Sequence, residues 1–272
     1  MKEGMAANAI YRRDYEAYPW SIKRLDMHFD IGVETTIVRA EIELQLKDKS
    51  VSANKIVLNG SDLQLNSLRL NDRELAEGEF EIDGETLTIL NPPEYCVVKS
   101  EVTIHPGSNS ALEGLYLSGD FLLTQCEAQG FRKITWFPDR PDVMTTYRVT
   151  LEADKSEFPV LLSNGNQVES SDLAGGRHSV CWEDPFPKPS YLFALVAGDL
   201  ELVEDHFITR SGRNVSLRIF VEKENLDRCD HAMQSLINAM RWDEERFNLE
   251  YDLDIYHIVA TNDFNMGAME NK

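Results

Sequence analysis

The residues that could do chemistry stand at two places in the chain. One is the carboxylate Glu270, set in TNDFNMGAMENK (261–272) among Met266, Gly267, Ala268 and Met269. Adjacent small residues let a backbone or a ligand approach closely, and the stretch has neither a helical period nor a clean alternation. The bland alternative is a frayed tail with an incidental acid. The other place is QCEAQGFRKITWFPDRPD (125–142), which mixes aromatic with charged residues and sets Cys126 beside Glu127. Long loops held by a rigid sheet often carry function.

Several chemistries are ruled out early. The histidines, His28, His105, His178, His206, His231 and His257, include no i, i+4 pair. The HExxH zinc signature is therefore missing, and no metal site is expected within these residues. His231 reads as a solvent-facing or capping residue on a helix. GSNSA and LSNGN contain serine without the GxSxG elbow, and Cys126 without a histidine nearby reads as a buried, inert thiol. No glycine-rich phosphate loop is present. No catalytic residue is expected in the chain itself.

The elements that must position these residues divide the chain near residue 199. TIVRAEIELQLK alternates Val38, Ala40, Ile42, Leu44 and Leu46 with polar partners, the pattern of an antiparallel sheet wet on one face. Asp83-Gly84 between two short alternating runs predicts a hairpin. GLYLSGDFLLTQ, TTYRVTLEADK, FPVLLSNGNQV and SYLFALVAGDL continue in that style, with no helix between Ser21 and Gly198. Residues 1–199 are thus expected to form an all-β, sandwich-like domain. After Gly198, a hairpin turning at Ser211-Gly212 precedes a helix over 226–247. Its stripe is Leu226, Cys229, Met233, Leu236, Ile237, Met240 and Phe247, with Asn225 as N-cap. DLDIYHIVA then reads as a largely buried strand. Residues 200–272 are expected to be the incomplete beginning of an α/β domain, which makes the whole mainly β.

Composition narrows the partners. A formal charge of −20 argues against nucleic acid and anionic membrane. Cys96, Cys126, Cys181 and Cys229 form no CxxC pair, which suits reduced thiols. With no signal-peptide pattern and no spanning segment, the cytoplasm is the expected compartment.

Taken together, GAMEN (267–271), Gln125-x-Glu127 with Asp139-x-Pro141, DPFPKPSYLFALVAGD (184–199) and RWDEERFNLEYDLDIY (241–256) resemble the aminopeptidase N family of zinc exopeptidases, bacterial branch, over nearly all of residues 20–272. The resemblance implies an N-terminal fragment ending at the GAMEN motif. The family's HExxH helix, third zinc ligand and transition-state tyrosine would all follow Lys272. Zinc is then a cofactor of the full-length enzyme, with none bound by this fragment, and the partners are peptides with a free N-terminus. The fragment's implied task is anchoring the α-ammonium through Glu270 and Glu127, with Gln125 beside it. Gly267 and Ala268 would offer backbone to the substrate as an added strand. Met266 would line the first side-chain pocket, and Met269 and Asn271 complete the motif. Two other readings stand beside this one: a leukotriene-hydrolase-like relative, which typically has glycine where Ala268 stands, and a non-catalytic β-sandwich interaction module. The preferred first residue and the oligomeric state are not legible.

Overall fold

The computed structural model describes residues 11–48, 54–262, 264 and 266–272. The strands are β1 (Trp20–Asp30), β2 (Thr36–Leu46), β3 (Lys55–Asn59), β4 (Gln64–Leu70), β5 (Arg73–Glu74) and β6 (Phe80–Asp83). They continue as β7 (Thr86–Leu90), β8 (Tyr95–Ile104), β9 (Gly114–Ser118), β10 (Phe121–Gln125), β11 (Thr145–Asp154) and β12 (Val160–Ser163). The last six are β13 (Asn166–Asp172), β14 (Arg177–Lys188), β15 (Leu195–Gly198), β16 (Glu201–Ile208), β17 (Asn214–Val221) and β18 (Ile255–Val259). The single α-helix among the described residues, α1, is Cys229–Phe247. The chain is mainly β, as the alternation predicts.

An eight-stranded sheet runs β13-β14-β11-β1-β2-β8-β4-β5. Val38, Ala40, Ile42, Leu44 and Leu46 are all buried on its inner face. One core joins that face to two smaller sheets, β3-β7-β6 and β12-β15-β10-β9. The Asp83-Gly84 hairpin forms, with Asp83 opposite Thr86 and Gly84 at φ +56, a left-handed position that favours glycine. The all-antiparallel expectation fails at one seam, since β1 and β11 pair in parallel. Parallel pairing needs a long crossover, and the nine strands between these two supply it.

The third small sheet, β16-β17-β18, packs against α1. Gly212 at φ +89 turns the β16–β17 hairpin. Cys229, Met233, Leu236 and Met240 bury the helix stripe on Val215, Leu217, Ile219 and Val221. Three expectations are corrected here. The α-helix starts at Cys229, because Lys223–Arg228 wind as a 3-10 turn; its N-cap position is Arg228, without a side-chain cap. Asn225 instead accepts a hydrogen bond from Arg228 Nη1 at 3.0 Å. Leu226 and Phe247 are exposed, since the stripe continues through Glu244, whose carboxylate accepts the Arg210 amide at 3.0 Å. Phe247 stacks edge-on against the equally exposed Trp242, centroids 5.0 Å apart. Finally, β18 is half-buried throughout and not largely buried. It pairs with β17 on one edge, and no described strand pairs with the other.

Candidate functional site

A cleft of about 710 Å³ lies where the β12-β15-β10-β9 sheet meets β18. One wall comes from Leu123 and Thr124 of β10, the β12–β13 turn, and Ala194–Val196. The opposite wall is β18, and residues 266–272 close one side. The cleft thus draws on both the β-rich part of the chain and its last residues.

Of the residues singled out in the sequence, Met266, Gly267, Ala268, Met269, Glu270 and Asn271 all line this cleft. Gly267, Ala268 and Glu270 are exposed, and Met269 and Asn271 half-buried. A methyl group added to Gly267 would meet nothing within 4 Å, so its backbone faces open space. Tyr256 on β18 has its hydroxyl pKa raised, first by burial and then by the negative charge of Glu270. That carboxylate therefore acts electrostatically on the β18 wall. Asn271 is turned away from solvent, donating its amide to the carbonyls of Leu192 at 3.2 Å and Phe193 at 3.5 Å.

Gln125 and Glu127 do not line the cleft, although Leu123 and Thr124 of the same strand do. Gln125 ends β10 opposite Gly114 and is 1% exposed. Its Nε2 donates to the Glu127 carbonyl at 3.5 Å, whereas its Oε1 is buried with no partner among the described residues. Glu127 projects into solvent from a turn closed by Gly130 N donating to Cys126 O at 2.8 Å. Gly130 is obligatory there, since a Cβ would sit 2.5 Å from Gln125 O and 2.9 Å from Gly114 N.

Most of the remainder of 125–142 is core, with Pro141 exposed and Arg132, Lys133, Arg140 and Asp142 half-buried. Phe131 is fully buried in edge-on contact with Phe137, Tyr147 and Phe193. Asp139 is 1% exposed and accepts from Arg132 N at 3.1 Å, Arg132 Nε at 3.3 Å and Ser190 Oγ at 2.6 Å. The Cys126 thiol is pushed well above its usual pKa by burial and then by Asp139, so it is held as a neutral thiol. Buried side chains stabilise this stretch, and residues 127–129 reach solvent as its tip.

Three features of the cleft were not anticipated from sequence. Asp184, on its wall, forms a buried ion pair with Lys188, whose pKa is lowered by burial against the pull of that carboxylate. The only trace in the sequence is the i, i+4 spacing in DPFPK. His257 on β18 is wedged between Trp182 and Phe220, at centroid distances of 5.2 and 5.4 Å. Burial pushes its pKa down to about 4, and its Nε2 has no partner among the described residues. Asn164 and Asn166 of the β12–β13 turn bond to the stretch that carries Glu270, a role that no sequence signal marks.

Among the described residues, no three His, Cys, Asp or Glu side chains gather as a metal site. The described donors therefore do not fit the zinc that the family resemblance implies.

Comparison with known proteins matches the peptidase M1 N-terminal domain over residues 14–192 and the peptidase family M1 domain over 231–272. The chain is 52% identical over 264 residues to aminopeptidase N of Caulobacter vibrioides, and equally to that of Escherichia coli. In each case the match covers 97% of this chain and 30% of the relative. A crystal structure of Legionella pneumophila aminopeptidase A in complex with aspartic acid superposes with a TM-score of 0.88 at 34% identity. It matches 94% of this chain and 30% of that one. The chain thus spans about 30% of the length of these relatives. The N-terminal domain match alone covers well over half of the residues, and on that ground the chain belongs to the peptidase M1 family.

Proposed function

We propose that this chain is the substrate-anchoring part of a zinc aminopeptidase that removes N-terminal residues from peptides. The observation that carries the reading is the Glu270 carboxylate on the wall of an open cleft, beside the backbone of Gly267 and Ala268. An aminopeptidase must recognise a free α-ammonium, which an internal peptide bond lacks. A carboxylate ~4 Å from that cation contributes ~4 kcal/mol at an effective dielectric near 20, before desolvation. Glu127, exposed just beyond the end of β10, is the second anchor, with the buried Gln125 beside it donating its amide to the Glu127 carbonyl. Met266, half-exposed at the cleft, fits a side-chain pocket tolerant of varied residues. Met269 and Asn271 shape the wall between them.

The relatives are named as aminopeptidases, and the Legionella structure holds an amino acid, aspartic acid; both support a substrate with a free amino terminus. Zinc and the bond-breaking groups are assigned to polypeptide outside these 272 residues. The division into residues 1–199 and 200–272 draws support from the smaller hydrophobic cluster, which lies wholly within 200–272, although Leu200 and Phe220 join the larger one and Ile255, Val259 and Phe264 pack on it. Four buried, unpaired cysteines favour a reducing compartment, the cytoplasm.

The test is Glu270→Gln in the full-length enzyme, assayed on a free-amino peptide and on its N-acetylated counterpart. A selective loss of kcat/KM on the free-amino peptide supports the anchor. Equal effects on both substrates refute it.

A further inference from the structure

We infer that the β12–β13 turn, Ser163-Asn164-Gly165-Asn166, is a clamp that positions Glu270 by holding the polypeptide on either side of it. The inference rests on the reading of Glu270 as an anchor for the substrate amine. Asn164 and Asn166 are positioning residues here and need not touch substrate.

The turn is itself rigidly seated. Gly165 has φ +88, and an added Cβ would lie 2.2 Å from Glu183 O and 2.7 Å from Asp184 Cα, so the turn presses directly on the β14 backbone. Ser163 Oγ donates to Ala194 O at 2.8 Å, and Asn164 Oδ1 accepts Ala194 N at 2.7 Å. From this base Asn164 Nδ2 donates to Leu192 O at 3.1 Å and to Asn271 O at 2.7 Å. The Asn271 side-chain amide also donates to Leu192 O, at 3.2 Å. The carbonyl of Leu192 thereby accepts both asparagines, filling its two lone pairs.

Two residues further on, Asn166 makes a reciprocal pair with Asp254. Asp254 N donates to Asn166 Oδ1 at 2.9 Å, and Asn166 Nδ2 donates to Asp254 Oδ2 at 3.0 Å. Asp254 immediately precedes β18, and Asn271 immediately follows Glu270. One four-residue turn therefore pins both ends of the stretch that forms β18 and the GAMEN wall. Exposed side chains on that stretch have little packing of their own to fix them: Gly267 meets nothing within 4 Å, and Ala268 and Glu270 are exposed. Side-chain amides gripping backbone carbonyls add to the restraint of the Lys272–Asp252 ion pair at 2.7 Å, and a displacement of about 1 Å at an anchoring group can lower turnover by ~100-fold.

The experiment is made in the full-length enzyme with Asn164→Asp, which keeps the acceptor for Ala194 N but turns the donor into an acceptor facing two carbonyls. Asn164→Ala removes the same donor, together with the acceptor for Ala194 N, without adding charge. Peptide-resolved hydrogen exchange is followed over 266–272 and over β10, β12 and β15, and kcat/KM is measured alone and in a Glu270→Gln background. The clamp predicts at least tenfold faster exchange in 266–272 in both variants, with the three strands still protected. It predicts a loss of at least tenfold in kcat/KM for a free-amino substrate, which largely disappears in the Glu270→Gln background. Unchanged exchange in 266–272, an effect of the aspartate alone, or equal loss of protection across the strands would overturn it. So would a loss fully additive with Glu270→Gln. If Glu270→Gln by itself leaves turnover unchanged, the anchor reading fails, while the exchange data still decide whether the turn holds the segment.

Discussion

Asn164 and Asn271, 107 residues apart in sequence, meet at 2.7 Å through a side-chain amide and a backbone carbonyl. The contact joins the β-sheet part of the chain to the residue that follows Glu270. Cleft geometry is therefore a property of both parts together, and changes in the β-rich part should be felt at the GAMEN wall.

Glycines supply a paired contrast. Gly165→Ala forces a Cβ into the β14 backbone at a left-handed φ, and should destabilise by about 3 kcal/mol or more. Gly267→Ala meets open space and should leave stability within ~0.5 kcal/mol, while lowering kcat/KM if substrate backbone approaches there. Urea denaturation of both variants, with turnover of the second in the full-length enzyme, checks the pair. A stable Gly165→Ala protein would contradict the seating of the turn.

His257 predicts a pH dependence. Unfolded, an imidazole titrates near 6.5; folded, burial lowers it to about 4. Between those values the unfolded chain binds the extra proton, so this contribution is intact above pH ~6.5 and is lost as pH falls toward 4. The full effect is up to ~3 kcal/mol. Comparing ΔG of unfolding at pH 7 and pH 4.5, wild type should lose ~2–3 kcal/mol more than His257→Leu. Identical losses would show that the histidine is not held neutral.

The 125–142 stretch should behave as core beyond its tip. Phe131→Ala removes a fully buried ring touching three other aromatics and should cost about 3–5 kcal/mol. Ala128→Ser, on the exposed tip, should change stability by less than ~0.5 kcal/mol. Comparable midpoints in denaturant for both would return the whole stretch to the surface.

That stretch also marks where sequence reading stops. Period-two alternation is a local signal, and β2 obeys it residue by residue from Val38 to Leu46. Asp83-Gly84 and Ser211-Gly212 are equally local and appear as turns. Phe131, Trp136 and Phe137 look like a mixed loop because their neighbours are distant in sequence: Phe131 packs on Tyr147 and Phe193, Trp136 lies against Gly60, and the Phe137 backbone pairs with Asn59. Parallel pairing of β1 with β11 is likewise a matter of topology and not of periodicity. At the site, a family motif drew attention to Glu270, but nothing in LSNGNQ distinguishes two clamping asparagines from ordinary turn residues. Leu226 and Phe247 fit a helical stripe by spacing alone, and the stripe's next position is taken by Glu244 instead.

The 272-residue chain by itself should retain less than ~0.1 zinc per molecule after dialysis and release no amino acid from an alanyl amide, because its described histidines and carboxylates form no three-ligand cluster. Stoichiometric zinc with turnover would relocate the metal site into this chain.

Whether Glu127 and Glu270 hold one ammonium, as proposed, is decided by a double-mutant cycle in the full-length enzyme. Glu127→Gln, Glu270→Gln and the double variant are assayed for kcat/KM on a free-amino peptide and on its N-acetylated form. Each single change should lower transition-state binding of the free-amino substrate by roughly 2–4 kcal/mol, with the double variant departing from the sum by at least ~1 kcal/mol and the acetylated substrate little affected. Strict additivity, or a Glu127→Gln enzyme that treats both substrates as the wild type does, would contradict it.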